Sequence, residues 1–210
     1  MARRIRDRSG DHWSAVWEGS SEESVSWFES TPTHSLELIR ALAPSRDTAI
    51  LDVGAGESRL VDALVCDGYR DLTVLDIAEP ALAVVRDRLG SQAEEITWVA
   101  GDVLEIEPGR SYGVWHDRAL FHFLRDPDDR DRYRSRLRSS LSPGGVGIVA
   151  TFSPHGPEVC SGLPVERYSV EGLVDELGAG FTLVRDCVDV HRTPGGVEQE
   201  FTFVAVRRVE

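Results

Sequence analysis

The sequence predicts an α/β fold, a doubly wound, mostly parallel seven-stranded sheet finished by a C-terminal antiparallel hairpin. Three observations carry this reading. Short apolar runs alternate with helical segments from Ala49 to Leu177, the pattern of β–α–β crossovers. The first apolar run stops at Gly54-Ala55-Gly56, a tight turn that leads into a helix. Two long alternating runs then close the chain around Pro194-Gly195-Gly196, which reads as a β-hairpin.

The elements follow in order. Ser35 to Ala43 has an apolar face of Leu36, Leu38, Ile39 and Leu42 and reads as a helix ended by Pro44. Ala49 to Val53 is a buried strand, and Ser58 to Cys66 a helix that turns Leu60, Val61, Leu64 and Val65 inward. Leu72 to Asp76 is the second strand. Pro80 opens the next helix, where its missing N–H leaves no bond unmade. Ile96 to Ala100 and Tyr112 to His116 are the third and fourth strands. A polar helix over Arg130 to Leu141 is stopped by Pro143-Gly144-Gly145, and Val146 to Phe152 is the fifth strand. The helix Val170 to Leu177 precedes the hairpin strands Phe181 to His191 and Gln199 to Arg207, with His191 and Arg192 expected on the surface of its tip.

Residues 1–34 form an amino-terminal aromatic segment, and residues 35–210 the main domain. Trp13, Trp17, Trp27 and Phe28 are too many aromatics for a disordered tail, so the segment is expected to fold onto the domain. The charge of -13 and the scattered arginines argue against a nucleic-acid partner. Arg3-Arg4-Ile5-Arg6 has no apolar stretch behind it and does not read as a signal peptide. No run is long enough to span a membrane, so the expected location is the cytoplasm. Cys66, Cys160 and Cys187 are odd in number and irregularly spaced, which gives neither a disulfide framework nor a zinc site, and no metal is expected.

Three motifs fall at strand ends. Leu51-Asp52-Val53-Gly54-Ala55-Gly56-Glu57-Ser58 is a glycine turn that lets a ligand approach the backbone closely. A dinucleotide fingerprint would place a third glycine where Arg59 stands. Asp76 ends the second strand twenty residues past Gly56, with Ile77 after it. Its carboxylate either caps the next helix or accepts both ribose hydroxyls of an adenosine, and the glycine turn favours the ribose. Asp102-Val103 follows the third strand, placed to meet an adenine amino group and ring nitrogen, or else simply to form a turn. In a Rossmann-like sheet the carboxyl ends of these strands share one crevice.

The series Leu51 to Gly56, Asp76, Asp102 and Pro143-Gly144-Gly145 resembles the class I S-adenosylmethionine methyltransferases over Ile50 to Phe152, and the closing hairpin agrees with them. The resemblance implies S-adenosyl-L-methionine as cofactor, with S-adenosyl-L-homocysteine as product. It also implies that Asp52, Gly54, Ala55, Gly56 and Ser58 cradle the methionine end, Asp76 and Ile77 the ribose, and Asp102 and Val103 the adenine. This ligand has no phosphate, so Asp52 and Glu57 near the turn cost it little. A narrower likeness involves His12-Trp13-Ser14-Ala15-Val16-Trp17, Ser26-Trp27-Phe28 and His116-Asp117-Arg118-Ala119-Leu120. These segments are similar to the thiopurine and small-thiol methyltransferases and to the compact eukaryotic lysine methyltransferases. That likeness makes Trp13, Trp17 and Trp27 candidates for cofactor contact, although the same indoles equally suit packing.

Acceptor residues are expected after strands four and five. Asp117 is a candidate for catalysis and for cofactor contact, His122 for a general base, and Arg118 and Phe121 for binding the acceptor, with Phe123 as a further apolar wall. The opposing reading makes Leu120 to Leu124 a packed helical turn with His122 on its wet side, and pairs Asp117 with Arg118. The segment 153–164 is long enough to be a lid and offers His155, Glu158 and Cys160, of which His155 and Cys160 are candidates for the acceptor. The function expected is methyl transfer by in-line displacement to a small-molecule thiol, hydroxyl or amine. The alternatives are a protein lysine methyltransferase, a non-catalytic S-adenosylmethionine-binding protein, and a nicotinamide dehydrogenase.

Overall fold

The computed structural model describes residues 10–19, 25–107 and 109–209; the basic run at Arg3 to Arg6 lies outside them. The sheet has the order β3-β2-β1-β4-β5-β9-β8. Its parallel strands are β1 (Ile50–Val53), β2 (Leu72–Asp76), β3 (Thr97–Ala100), β4 (Tyr112–Arg118) and β5 (Leu141–Phe152). The hairpin strands β8 (Phe181–Arg192) and β9 (Glu198–Arg208) run antiparallel, with β9 hydrogen-bonded along β5. Strand order reverses between β1 and β4, and such a reversal opens a crevice at the carboxyl ends.

Helices cover both faces. On one, α2 (Thr33–Leu42), α3 (Leu60–Cys66) and α4 (Glu79–Leu89) bury Leu36, Ile39, Leu60, Leu64, Leu82 and Val85 against Ile50, Val74, Val114 and Ile148. On the other, α5 (Pro127–Ser140) and α6 (Val170–Leu177) bury Tyr133, Leu137, Leu173 and Leu177 against Leu51, Val53, Trp115 and Val149. Side chains alternate along a strand, so Ile50 and Asp52 share the first face while Leu51 and Val53 share the second.

Several boundaries differ from the sequence reading. The polar helix starts at Pro127, because the Asp126 carboxylate accepts the Asp128 N–H at 3.0 Å and proline suits the first turn. β5 begins at Leu141, directly after α5, and pairs with Tyr112 ahead of the Pro143-Gly144-Gly145 irregularity. β4 runs to Arg118, two residues further than read. The segment 153–164 is a compact excursion holding a small hairpin, β6 (Val159–Cys160) with β7 (Leu163–Pro164). Its turn puts Ser161 at φ 50 and Gly162 at φ 75. His191 is buried rather than exposed, and its Nε2 contacts the Ser26 carbonyl at 2.8 Å.

The amino-terminal segment contains a helix, α1 (Gly10–Glu18), which the sequence reading left without assigned structure. Trp13 and Trp17 lie one turn apart on it. Trp17 and Val25 pack with Ala78 and Ala81 at the start of α4, and Trp13 meets Phe123 edge to face at 5.0 Å between centroids. The segment thereby lies across the carboxyl ends of the parallel strands.

Candidate active site

One cleft opens at the strand-order reversal and extends beneath α1 and residues 25–32. Its floor is the glycine turn. Gly54 and Gly56 have φ of 64 and 53, a left-handed conformation that disfavours any residue with a Cβ. A Cβ at Gly54 would lie 2.5 Å from Leu120 Cδ1, and one at Gly56 2.4 Å from Trp17 Cζ2. Both positions therefore need glycine for space as well as for conformation. The Gly54 and Ala55 N–H groups donate to the Leu75 carbonyl at 2.8 and 3.2 Å, which ties the turn to β2. Arg88 of α4 holds the far side of the turn. It pairs with Asp62 at 2.6 Å and donates to the Ser58 and Glu57 carbonyls at 2.8 and 3.2 Å.

Asp76 lines the cleft at the end of β2. Its Oδ2 accepts the Gly56 N–H and its Oδ1 the Ala78 N–H, each at 2.7 Å. Each oxygen keeps a further acceptor direction for a hydroxyl pair. Burial pushes its carboxyl up to about 6, partly offset by these backbone donors and reinforced by the Asp52 charge. Asp102 spends Oδ1 on the Leu104 N–H at 2.9 Å, and Gly101, Asp102 and Val103 form the cleft wall past β3. Asp52, Ala55, Glu57, Ser58 and Ile77 complete this half, under Trp13, Trp17 and Trp27. Trp17 and Trp27 stack edge to face at 5.8 Å. An acidic, aromatic-walled cleft with a glycine floor and a strand-end carboxylate fits a cationic adenosine ligand better than a pyrophosphate.

The other half of the cleft is bounded by Trp27, Phe28, Glu29, Pro32, Arg118 and Cys160. Arg118 projects from the end of β4, its Nε 3.2 Å from Glu29 Oε2 and its Nη1 donating to the Trp27 carbonyl at 3.0 Å. Its guanidinium lies over the Phe201 ring at 4.7 Å. Burial lowers its pKa, which the Glu29 and Asp189 charges oppose. Burial also raises the Cys160 thiol to about 11, so it stands protonated.

Five residues singled out from the sequence lie elsewhere. Asp117 faces the α5 side, fully buried, where it accepts from Tyr133 Oη–H at 2.6 Å and from the Leu120 and Phe121 N–H groups at 2.9 and 3.3 Å. It is a brace for the turn after β4, and it neither borders the cleft nor pairs with Arg118, which points to the opposite face. Phe121 stacks on Tyr133 and Tyr168 in the core. His122 is likewise fully buried, between Phe123 and Phe152, and receives only a long 3.5 Å contact from the Phe152 N–H at Nδ1. Burial drives its pKa down to about 3, with the Arg118 charge adding to the effect, so it is a neutral core residue and not a base at the cleft. His155 is exposed and outside the cleft, as is Glu158, which pairs with Arg167 at 2.9 Å.

The sequence reading assigns no site role to Ser35, Glu29 and Arg88, and it quotes His116 and Phe28 only within motifs. His116 was within reach of it, since a residue two before Arg118 on a strand shares its face. Ser35 sits in the first turn of α2 between His34 and Leu36, and nothing local marks it as a site residue.

A parallel sheet with a glycine turn after β1 and carboxylates at the ends of β2 and β3 defines an α/β domain with a ligand crevice at its switch point. The comparisons narrow this further. Residues 50–145 match the family model described as a methyltransferase domain, and the fold around them is shared with solved S-adenosylmethionine-dependent methyltransferases. The EEF1A lysine methyltransferase 2 of Danio rerio is 25% identical over 179 residues, which cover 81% of this chain and 71% of that protein. The eEF1A lysine and N-terminal methyltransferase of Mus musculus is 23% identical over 144 residues, 65% of this chain but only 20% of that much longer protein. The N-methyltransferase NodS from Bradyrhizobium japonicum WM9, solved in complex with S-adenosyl-L-homocysteine, superposes with a TM-score of 0.70 at 16% identity, covering 95% of this chain and 100% of that one. S-adenosylmethionine is the cofactor of this class. Among the described residues, no helix is long and apolar enough to cross a membrane.

Proposed function

We propose that this chain transfers a methyl group from S-adenosylmethionine to a small-molecule acceptor carrying a thiol, hydroxyl or amine. The observation that carries the reading is the second half of the cleft. It is continuous with the cofactor half and walled by Trp27, Phe28 and Pro32, with Arg118 and Glu29 as its polar groups. Apolar walls with a few fixed polar groups are the usual make-up of a small-ligand site.

When bound, the cofactor supplies a methyl carbon already activated by positive sulfur. The chain's contribution is alignment and exclusion of water. In this reading Gly54, Gly56 and Ser58 present the turn to the methionine end, Asp76 holds the ribose hydroxyls, and Asp102 with Val103 flanks the adenine. Trp13, Trp17 and Trp27 cover them. Arg118 offers its guanidinium to an oxygen of the acceptor, and Cys160 contributes an uncharged wall.

A protein lysine acceptor is the second reading. It is favoured by the zebrafish relative, which aligns over most of both chains, and an acidic surface suits a basic peptide. Transfer from labelled S-adenosylmethionine into a cell extract, separated into small molecules, proteins and RNA, decides between them. Label in the small-molecule fraction supports the proposal, and label on lysine or RNA overturns it. Tight S-adenosylhomocysteine binding with no label in any fraction would make the chain a non-catalytic binding protein.

A further inference from the structure

We propose that Ser35, His116 and Asp52 form a proton relay between the two halves of the cleft, with Ser35 Oγ taking the proton from the methyl acceptor. The proposal rests on the methyltransferase reading and adds to it the acceptor chemistry, an attacking nitrogen or oxygen that carries a hydrogen. The three side chains form an unbroken chain. Asp52 Oδ1 lies 2.7 Å from His116 Nδ1, and His116 Nε2 lies 2.8 Å from Ser35 Oγ. All three are buried, at 5%, 3% and 2% exposure for Asp52, His116 and Ser35, and all three border the cleft.

The fold fixes this geometry. Asp52 and His116 stand opposite one another on adjacent parallel strands, so their side chains leave the same face side by side. α2 packs over that face and brings Ser35 to the far ring nitrogen. When Nδ1–H donates to the Asp52 carboxylate, Nε2 is left to accept the Ser35 hydroxyl hydrogen. This is the order of acid, imidazole and hydroxyl that activates an oxygen in unrelated enzymes. It places the hydroxyl on the α2 side, with Phe28, Glu29 and Pro32, and the carboxylate on the glycine-turn side.

The step balances. A bond forms between the acceptor atom and the methyl carbon as the carbon–sulfur bond breaks, its electron pair remaining on sulfur. The acceptor's proton passes to Ser35 Oγ while the Ser35 proton passes to His116 Nε2, and Asp52 holds the resulting imidazolium. Of the other candidates, Glu29 is paired with Arg118, His122 and Asp117 lie off the cleft, and the Cys160 thiol keeps its proton.

The same bonds would also fasten α2 to the sheet, and the test separates the two roles. Wild type, Ser35→Ala, Ser35→Thr, Ser35→Cys and His116→Gln are compared as full chains. The readouts are S-adenosylhomocysteine affinity by calorimetry, melting temperature, and label transfer from saturating S-adenosylmethionine into the small-molecule fraction of an extract. The relay predicts that Ser35→Ala and His116→Gln lose about 100-fold or more in transfer rate. It also predicts that Ser35→Ala binds S-adenosylhomocysteine within about twofold of wild type, and that at least one of the protic variants, Thr or Cys, recovers most of the rate. A Ser35→Ala rate close to wild type, or a loss that follows melting temperature alone and is not recovered by Thr or Cys, overturns the relay. Absence of label from wild type in every fraction overturns the methyltransferase reading beneath it.

Discussion

His116, Asp117 and Arg118 are consecutive on β4, yet they occupy two different environments. His116 and Arg118 face α2 and residues 25–32, where they border the cleft and engage Ser35, Asp52 and Glu29. Asp117 faces α5, sealed under Tyr133 and the turn that follows the strand. Both environments are buried, and both are hydrogen-bonded. The difference lies in what the bonds are spent on. On the α5 side every bond of Asp117 goes to its own fold. On the cleft side the polar groups form a chain that ends at open space. A polar residue at a strand end is thus not a site residue by position alone, and the parity of the strand decides.

Predictions test this contrast. The largest effect is expected on the sealed side. Asp117→Ala strands the Tyr133 hydroxyl and two backbone N–H groups, so urea unfolding should show a loss of about 3–4 kcal/mol. S-adenosylhomocysteine affinity of the folded fraction should change little. A stable Asp117→Ala chain that loses affinity would return Asp117 to the site. On the cleft side, Asp76→Ala should weaken S-adenosylhomocysteine binding by about 1.5–3 kcal/mol in calorimetry, the worth of hydrogen bonds to a charged group. Unchanged affinity would remove the ribose role.

A third prediction concerns pH. Asp76 and Asp117 are both raised to about 6 by burial. A raised carboxyl favours the folded state in its protonated form, so its contribution is complete below about pH 4 and is lost as pH climbs through 6. His122, lowered to about 3, acts in the opposite sense: its contribution is complete above about pH 6.5 and fades as pH falls toward 3. His122→Phe removes the second effect alone. Between pH 7 and pH 5 it should gain about 2 kcal/mol more stability than wild type gains, followed by denaturant midpoints. It should keep methyl transfer, and a loss of transfer in a well-folded His122→Phe chain would restore His122 as a base. The smallest effect is expected at the roof, where Trp13→Ala removes the edge-to-face contact with Phe123 and should cost about 1 kcal/mol of S-adenosylhomocysteine affinity or less. A much larger loss would make Trp13 a direct cofactor contact.

The glycine-turn half of the cleft, proposed for the cofactor, is legible because its signals are local. Gly54, Gly56, Asp76 and Asp102 each stand at the end of an apolar run, and the sheet gathers strand ends into one crevice whatever the loops do. The half proposed for the acceptor is less legible. Arg118, Phe123 and Cys160 border the cleft as residue type and position suggest, but the same signals point to Asp117 and His122, which do not, and give no site role to Ser35, His116 and Glu29, which do. Ser35 is separated from His116 by 81 residues, and no periodicity within one element reports such a contact. α1 was missed for a similar reason. Nine residues with two tryptophans give a weak helical pattern, and the helix is held by packing on α4 and on the turn after β4 more than by its own propensity.

By itself the sequence determined the alternation of strands and helices, the closing hairpin and the glycine turn, because apolar period and backbone freedom are properties of neighbouring residues. Only the tertiary structure decided which polar side chains meet. Asp52 and His116 are brought together by strand register, Ser35 by the docking of α2, and Arg118 and Glu29 by the return of residues 25–32 over the sheet. Those contacts are set by packing between distant segments, where a shift of one residue in a strand would turn His116 into the core and Asp117 into the cleft.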